Sequence, residues 1–288
     1  MSGEVAPEPA RTAAFFDLDK TIIARSSTLA FSRVFFEGGL ITRRSALRSA
    51  WAQFVFGRSG IDHDQMEKMR AYLSRMSTGW DVATVRDIVA ETLHTIIDPM
   101  VYDEAVALIE EHRVAGRDVV IVSTSGSEVV EPIGEMLGVD HVIATRMVEQ
   151  DGRYTGEIGF YAYGPGKAAA IRDLADQFGY DLAQCYAYSD SETDVPMLSA
   201  VGHPYAVNPD RGMRRAAAEN GWPILQFTTP VEMRQRVGIR SRPTYVALAA
   251  LLLGAAAFAL VRQLRRRRHT GPDKMTRRRP LPLRRFSQ

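Results

Sequence analysis

The segment Ala13–Thr21 reads AAFFDLDKT, an apolar run that ends in two aspartates spaced two apart. Alternate side chains of a strand share a face. With Asp17 at the carboxyl end of a strand, Asp19 falls just beyond it, in the loop where open α/β sheets hold their ligands. Two acids so placed need a cation between them or a substrate proton to handle. The same residues also suit an ordinary helix start, with Asp and Thr21 satisfying the free amides of a following helix. The rest of the chain decides between these readings.

Three further pieces follow in order. Val119–Ser125, VVIVSTS, is a second β-branched run, ending in hydroxyls with Ser123 at the strand tip. Lys167 opens a helical pattern after the Gly-Pro-Gly turn of YGPGKAAAI. Cys185–Asp194, CYAYSDSETD, is a third strand that ends in acids, with Asp190 and Asp194 spaced by four. From about Ala13 to Phe227 the chain resembles the haloacid dehalogenase superfamily, with these pieces standing as motifs I (DxDxT) to IV. Within it the likeness is closest to the phosphoserine-phosphatase-like subfamily, class IB. The hairpin pattern Thr145–Ile158 before the lysine fits that subfamily, and its Asp151-Gly152 pair is a tight-turn signal.

The resemblance implies a Mg²⁺-dependent phosphomonoester hydrolase. Asp17 would attack phosphorus and form an aspartyl-phosphate. Asp19 would protonate the leaving alkoxide and then deprotonate the hydrolytic water. Asp17, Asp190 and the main-chain carbonyl of Asp19 would hold Mg²⁺, which favours a few hard oxygen ligands. Ser123 and the N–H of Thr124 would bind the phosphoryl oxygens, and Lys167 would supply fixed positive charge. Asp194 would pair with Lys167 or reach the metal through water, with Thr21 and Thr193 in supporting positions. A dehalogenase of the superfamily lacks the second aspartate, so Asp19 favours phosphate chemistry.

The chain departs from the subfamily pattern in two places. Where phosphoserine phosphatases have GDGxND, it has SDSETD, with Thr193 at the usual Asn position. Those enzymes also carry a Glu after motif I that reads the substrate ammonium. Here Ile22–Ala30 is IIARSSTLA, with no acid before Glu37. A small or lipid-derived phosphate ester is therefore expected in preference to phosphoserine.

Motifs I and II lie much further apart than one crossover helix needs. Between them, Leu29–Glu37, Thr42–Phe56, His63–Ser77 and Asp81–Thr95 repeat apolar residues at helical spacing. This predicts a helical cap over residues 26–98, with Pro99 marking the return to the main domain. Trp51, Phe54 and Phe56 suit packing between cap helices or a pocket lining. Strands near Ala13, Asp118, Gln184 and Tyr205 alternate with helical segments. The expected fold is therefore α/β, a doubly wound, Rossmann-like parallel sheet over residues 1–25 and 99–230.

The composition changes after Phe227. Thr244–Val261 is 18 residues without a charge, about 27 Å as a helix, against the roughly 30 Å of a bilayer core. Residues 262–288 carry 11 Lys and Arg against one acid, Asp273, so the net charge of +2 on the 288 residues hides an acidic enzyme with a cationic tail. A buried terminal helix is one reading of Thr244–Val261. A transmembrane or membrane-associated helix, followed by a basic disordered tail that attracts anionic lipid, is the favoured one. The positive-inside rule would send the tail to the cytoplasm and, for a single span, the enzyme outside. Residues Met1–Arg11 hold no secretory signal core and Cys185 is the single cysteine, so a cytoplasmic catalytic domain at the cell membrane is expected. A re-entrant or interfacial helix reconciles the two.

Two other functions compete with hydrolysis. One is a phosphotransferase of the same fold, and the other is a non-catalytic membrane adaptor using the tail. Specific nucleic-acid binding finds no recognition motif or interleaved aromatics.

Overall fold

β1 (Ala13–Phe16) is apolar at every position and all four side chains are buried. A strand covered on both faces calls for a layer of helices on each side. The computed structural model describes residues 11–41, 71 and 74–228, and it has that arrangement. Ala14 and Phe16 join one apolar cluster, and Ala13 and Phe15 join the other.

Seven strands form one sheet in the order β4-β3-β2-β1-β5-β6-β7. They are β1, β2 (Asp118–Gly126), β3 (His141–Gln150), β4 (Arg153–Phe160), β5 (Tyr186–Ser189), β6 (His203–Val207) and β7 (Ile224–Leu225). All neighbours run parallel except β3 and β4. The expected hairpin is present, and Asp151 and Gly152 both take positive φ, 52° and 73°, as a two-residue turn between twisted strands requires. Its first strand also reaches back to His141 and pairs parallel with β2, so the hairpin extends the main sheet.

α1 (Ser27–Glu37), α2 (Val82–Ile97), α3 (Asp103–Val114) and α4 (Ser127–Leu137) join the cluster that holds Ala14 and Phe16. Phe31 and Phe35 of α1 and Val85, Val89 and Leu93 of α2 are spaced four apart and supply part of this core. Asp81 caps α2, accepting from Thr84 N–H at 2.9 Å. α5 (Pro165–Phe178), α6 (Val195–Leu198) and α7 (Arg211–Asn220) join the cluster that holds Ala13 and Phe15.

The predicted helical patterns Leu29–Glu37 and Asp81–Thr95 correspond to α1 and α2, and Pro99 lies in a 3₁₀ turn at Asp98–Met100. Thr42–Phe56 with its three aromatics, most of His63–Ser77, the apolar segment Thr244–Val261 and the basic tail lie outside the described residues. By its contacts the chain divides into Met1–Gln235 and Arg236–Gln288, and every described residue belongs to the first unit. Among the described residues no helix is long and apolar enough to cross a membrane. The structure therefore lends no support to the C-terminal membrane helix.

Candidate active site

The three central strands β2, β1 and β5 run parallel, so their carboxyl ends meet at one edge. The chain leaves β1 for β2 on one side and later returns to β5 on the other, which makes this the switch point of the sheet, where such folds bind ligands. Asp17 follows β1 directly, and its N–H donates to Tyr188 O at 2.9 Å. Ser123 and Thr124 lie near the end of β2, and Asp190 follows β5.

Lys167 is delivered by the turn before α5. Gly164 has φ of 51°, favoured in glycine. A Cβ on Gly166 would stand 2.6 Å from Tyr161 O, so neither glycine tolerates a side chain there. The turn is also tied to β2. Thr124 Oγ1 donates to Ala162 O at 2.9 Å, Thr145 Oγ1 donates to Thr124 O at 2.7 Å, and Ala162 N–H donates to Thr145 Oγ1 at 3.2 Å.

Lys167 is 1% exposed, and its Nζ donates to Asp17 Oδ1 and to Asp194 Oδ2, both at 2.7 Å. Asp194, for which the resemblance left lysine or metal, thus pairs with the lysine. It also accepts from Ser189 Oγ at 2.8 Å. Burial opposes the lysine charge, but the carboxylates of Asp17 and Asp194 outweigh it and hold the ammonium above its usual pKa. Burial pushes Asp17 well up. Lys167 opposes this, and Asp194 and Asp190 add to it. Burial likewise pushes Asp190 up to about 7, against Lys20 and with Asp194 and Asp210. Three buried carboxylates around one ammonium leave the site rich in negative charge.

That donor set fits a hard divalent cation. Asp190 is 4% exposed, and among the described residues its carboxylate receives no hydrogen bond and has only a long ion pair to Lys20, 3.7 Å. Asp17 keeps one carboxylate oxygen without a donor among those residues. Oxygens of this kind, completed by a main-chain carbonyl and water, are what Mg²⁺ takes. No cluster of three or more His, Cys, Asp or Glu side chains suited to a metal occurs among the described residues, and the expected set needs only two carboxylates.

Asp19 is half-buried and held at both oxygens. Ser27 N–H donates to Oδ1 at 2.8 Å, and Ser125 Oγ donates to Oδ2 at 3.1 Å. Ser123 is buried, and its Oγ accepts from Ser125 N–H at 3.2 Å. Thr193 Oγ1 lies 3.0 Å from Ser191 Oγ. Thr21 is buried, and its hydroxyl has no hydrogen-bond partner among the described residues. Ser27, Ser125 and Ser189 were not singled out in the sequence. Their one signal is the density of hydroxyls in ARSST, STSGS and YSDS.

Fold and site together define the class: a doubly wound α/β protein whose switch point carries a centre of carboxylates, lysine and hydroxyls. The description of haloacid dehalogenase-like hydrolases matches residues 14–199, and the chain belongs to that family. It is 64% identical over 262 residues to the inhibition of morphological differentiation protein of Streptomyces azureus, covering 90% of this chain and 95% of that one. It is 57% identical over 266 residues to probable phosphatase Rv3661 of Mycobacterium tuberculosis, with 91% and 92% covered. Phosphoserine phosphatase SerB1 of the same organism is 35% identical over 261 residues, with 88% and 80% covered. Among solved structures, a Bordetella pertussis protein of unknown function matches with a TM-score of 0.67 at 29% identity, over 75% of this chain and 99% of that one. Within the family its kinship is with phosphatases.

Proposed function

We propose that the protein is a Mg²⁺-dependent phosphomonoester hydrolase that works through an aspartyl-phosphate on Asp17. The observation that carries this reading is the position of Lys167, 2.7 Å from both Asp17 and Asp194. The lysine pins one oxygen of Asp17 and leaves the other to attack phosphorus. As the new O–P bond forms, the ester P–O bond breaks, and Asp19 gives its proton to the departing alkoxide. Asp19 then takes a proton from the water that attacks phosphorus and frees Asp17. Ser123, the Thr124 N–H and Lys167 stabilise the charge on the phosphoryl oxygens. Asp17, Asp190 and the Asp19 main-chain carbonyl would hold Mg²⁺, which when bound supplies charge neutralisation between carboxylates and phosphate. Passing the phosphoryl group to another acceptor, or a purely adaptor role, has no specific observation in its favour.

The substrate is a small or lipid-derived phosphomonoester, selected by a helical cap over residues 26–98. Two relatives are named phosphoserine phosphatases, but Ile22–Ala30 offers a substrate ammonium no carboxylate, and its Ser27 is engaged with Asp19. On sequence grounds alone, Thr244–Val261 and the basic tail bring the enzyme to anionic lipid at the cell membrane, with the catalytic domain cytoplasmic.

The test is a screen of the purified protein against a panel of phosphomonoesters. Asp17→Asn should abolish hydrolysis without unfolding the chain, and EDTA should stop the wild type until Mg²⁺ is returned. Full activity of the Asp17 variant, or indifference to chelation, sinks the mechanism. Turnover of phosphoserine far above every other ester overturns the substrate reading.

A further inference from the structure

The donors around Asp19 are ordered. A serine hydroxyl has one proton and two lone pairs. Ser125 spends its proton on Asp19 Oδ2, 3.1 Å away. Its two other contacts, Ser27 Oγ at 2.9 Å and Thr28 Oγ1 at 3.1 Å, must then donate to it. Ser27 and Ser125 are both buried. The whole hydroxyl cluster therefore points at one carboxylate oxygen.

The two oxygens of Asp19 are not equivalent. Oδ1 faces the Ser27 N–H at 2.8 Å, which can only donate. Oδ2 faces a hydroxyl, which can turn and accept. With Ser125 donating to Oδ2 and the Ser27 N–H donating to Oδ1, the carboxylate is held in one orientation. We infer that Ser125, oriented by Ser27 and Thr28, is a positioning residue that holds the Asp19 carboxyl in the orientation from which it serves the leaving group. This rests on the acid–base reading of Asp19 above.

Leaving-group dependence tests it on the full-length chain. An alkyl phosphate needs its alkoxide protonated, whereas p-nitrophenolate leaves unaided. The specificity constant kcat/KM covers only the steps up to departure of the leaving group, so it isolates the acid role of Asp19. Ser125→Ala should lower kcat/KM for an alkyl phosphate about tenfold or more, and for p-nitrophenyl phosphate less than about threefold, since general acid catalysis is a large factor only where a proton is required. Ser125→Thr keeps the hydroxyl and should restore the alkyl rate to within about threefold of wild type. A merely structural role lowers both substrates alike. Asp19→Asn anchors the comparison. If Asp19→Asn is selective for the alkyl ester and Ser125→Ala is not, the inference fails alone. If Asp19→Asn is itself unselective, the acid–base reading fails first. Should Ser125→Ala not fold, Ser27→Ala, which keeps the backbone donor, must show a smaller selective loss, and an equal loss on both substrates overturns the inference.

Discussion

Asp190→Asn should make the metal-free protein more stable at alkaline pH while removing its activity. The wild-type side chain is 4% exposed, and burial, resisted by Lys20, raises its carboxyl from an ordinary 3.8 to about 7. A folded-state pKa above the unfolded value means that the folded chain binds the proton more tightly. The stability this confers is full below about pH 4 and is lost as the pH rises through about 7. At about 1.4 kcal/mol per pKa unit, the complete loss is on the order of 4 kcal/mol. Asparagine keeps the shape without the charge, so the loss disappears, and repulsion on Asp17 is relieved as well. Urea unfolding in EDTA at pH 5 and pH 8 measures this. From pH 5 to pH 8 the variant should gain about 2–3 kcal/mol on the wild type. If the variant is no more stable than wild type at pH 8, or the gap does not widen with pH, the electrostatic account of the site is wrong.

Lys167→Met should be inactive and less stable at neutral pH by about 3–5 kcal/mol, because Asp17 and Asp194 lose the charge buried between them; urea unfolding reads this directly. His112 is buried with Nε2 2.8 Å from Tyr188 Oη, and burial, followed by Arg117, lowers its pKa to about 4. Its contribution is present above pH 6.5 and lost as the pH falls through about 4, so His112→Gln should flatten the acid limb of the stability profile over that window. Full-length protein should sediment with anionic vesicles and resist high salt, whereas a fragment ending near Arg240 should stay in solution and hydrolyse a generic phosphomonoester. Full-length protein that stays in solution at low salt would remove the membrane proposal.

The parts of the site that can be read in the sequence are those written in one short stretch. Each central strand is a run of apolar residues that stops at a polar one, so Asp17, Ser123 and Asp190 can be assigned to strand ends before any strand is paired. The Gly-Pro-Gly turn likewise announces Lys167. What could not be read depends on contacts across the chain. Ser27 and Ser125 meet across 98 residues, and no local pattern separates such hydroxyls from those that only face water. The partner of Asp194 stayed open because Lys167 lies 27 residues away and no local pattern joins the two. The parallel pairing of β3 with β2 was missed because the hairpin turn, a strong local signal, masked the strand that leads into it.

The central position of β1 has a consequence for synthesis. Ala13 pairs with Asp118 on one side, and Ala14 pairs with Tyr186 on the other. Neither partner exists when β1 leaves the ribosome. Roughly a hundred residues must follow before the first arrives, about 5–20 s at ordinary elongation rates. Throughout that interval a wholly apolar strand has both edges open, a state prone to pairing with other chains. Asp17 next to it gains its second flanking strand last, so a nascent chain halted before Tyr186 lacks the assembled site. Protection of this segment during translation is therefore a requirement set by the sheet order itself.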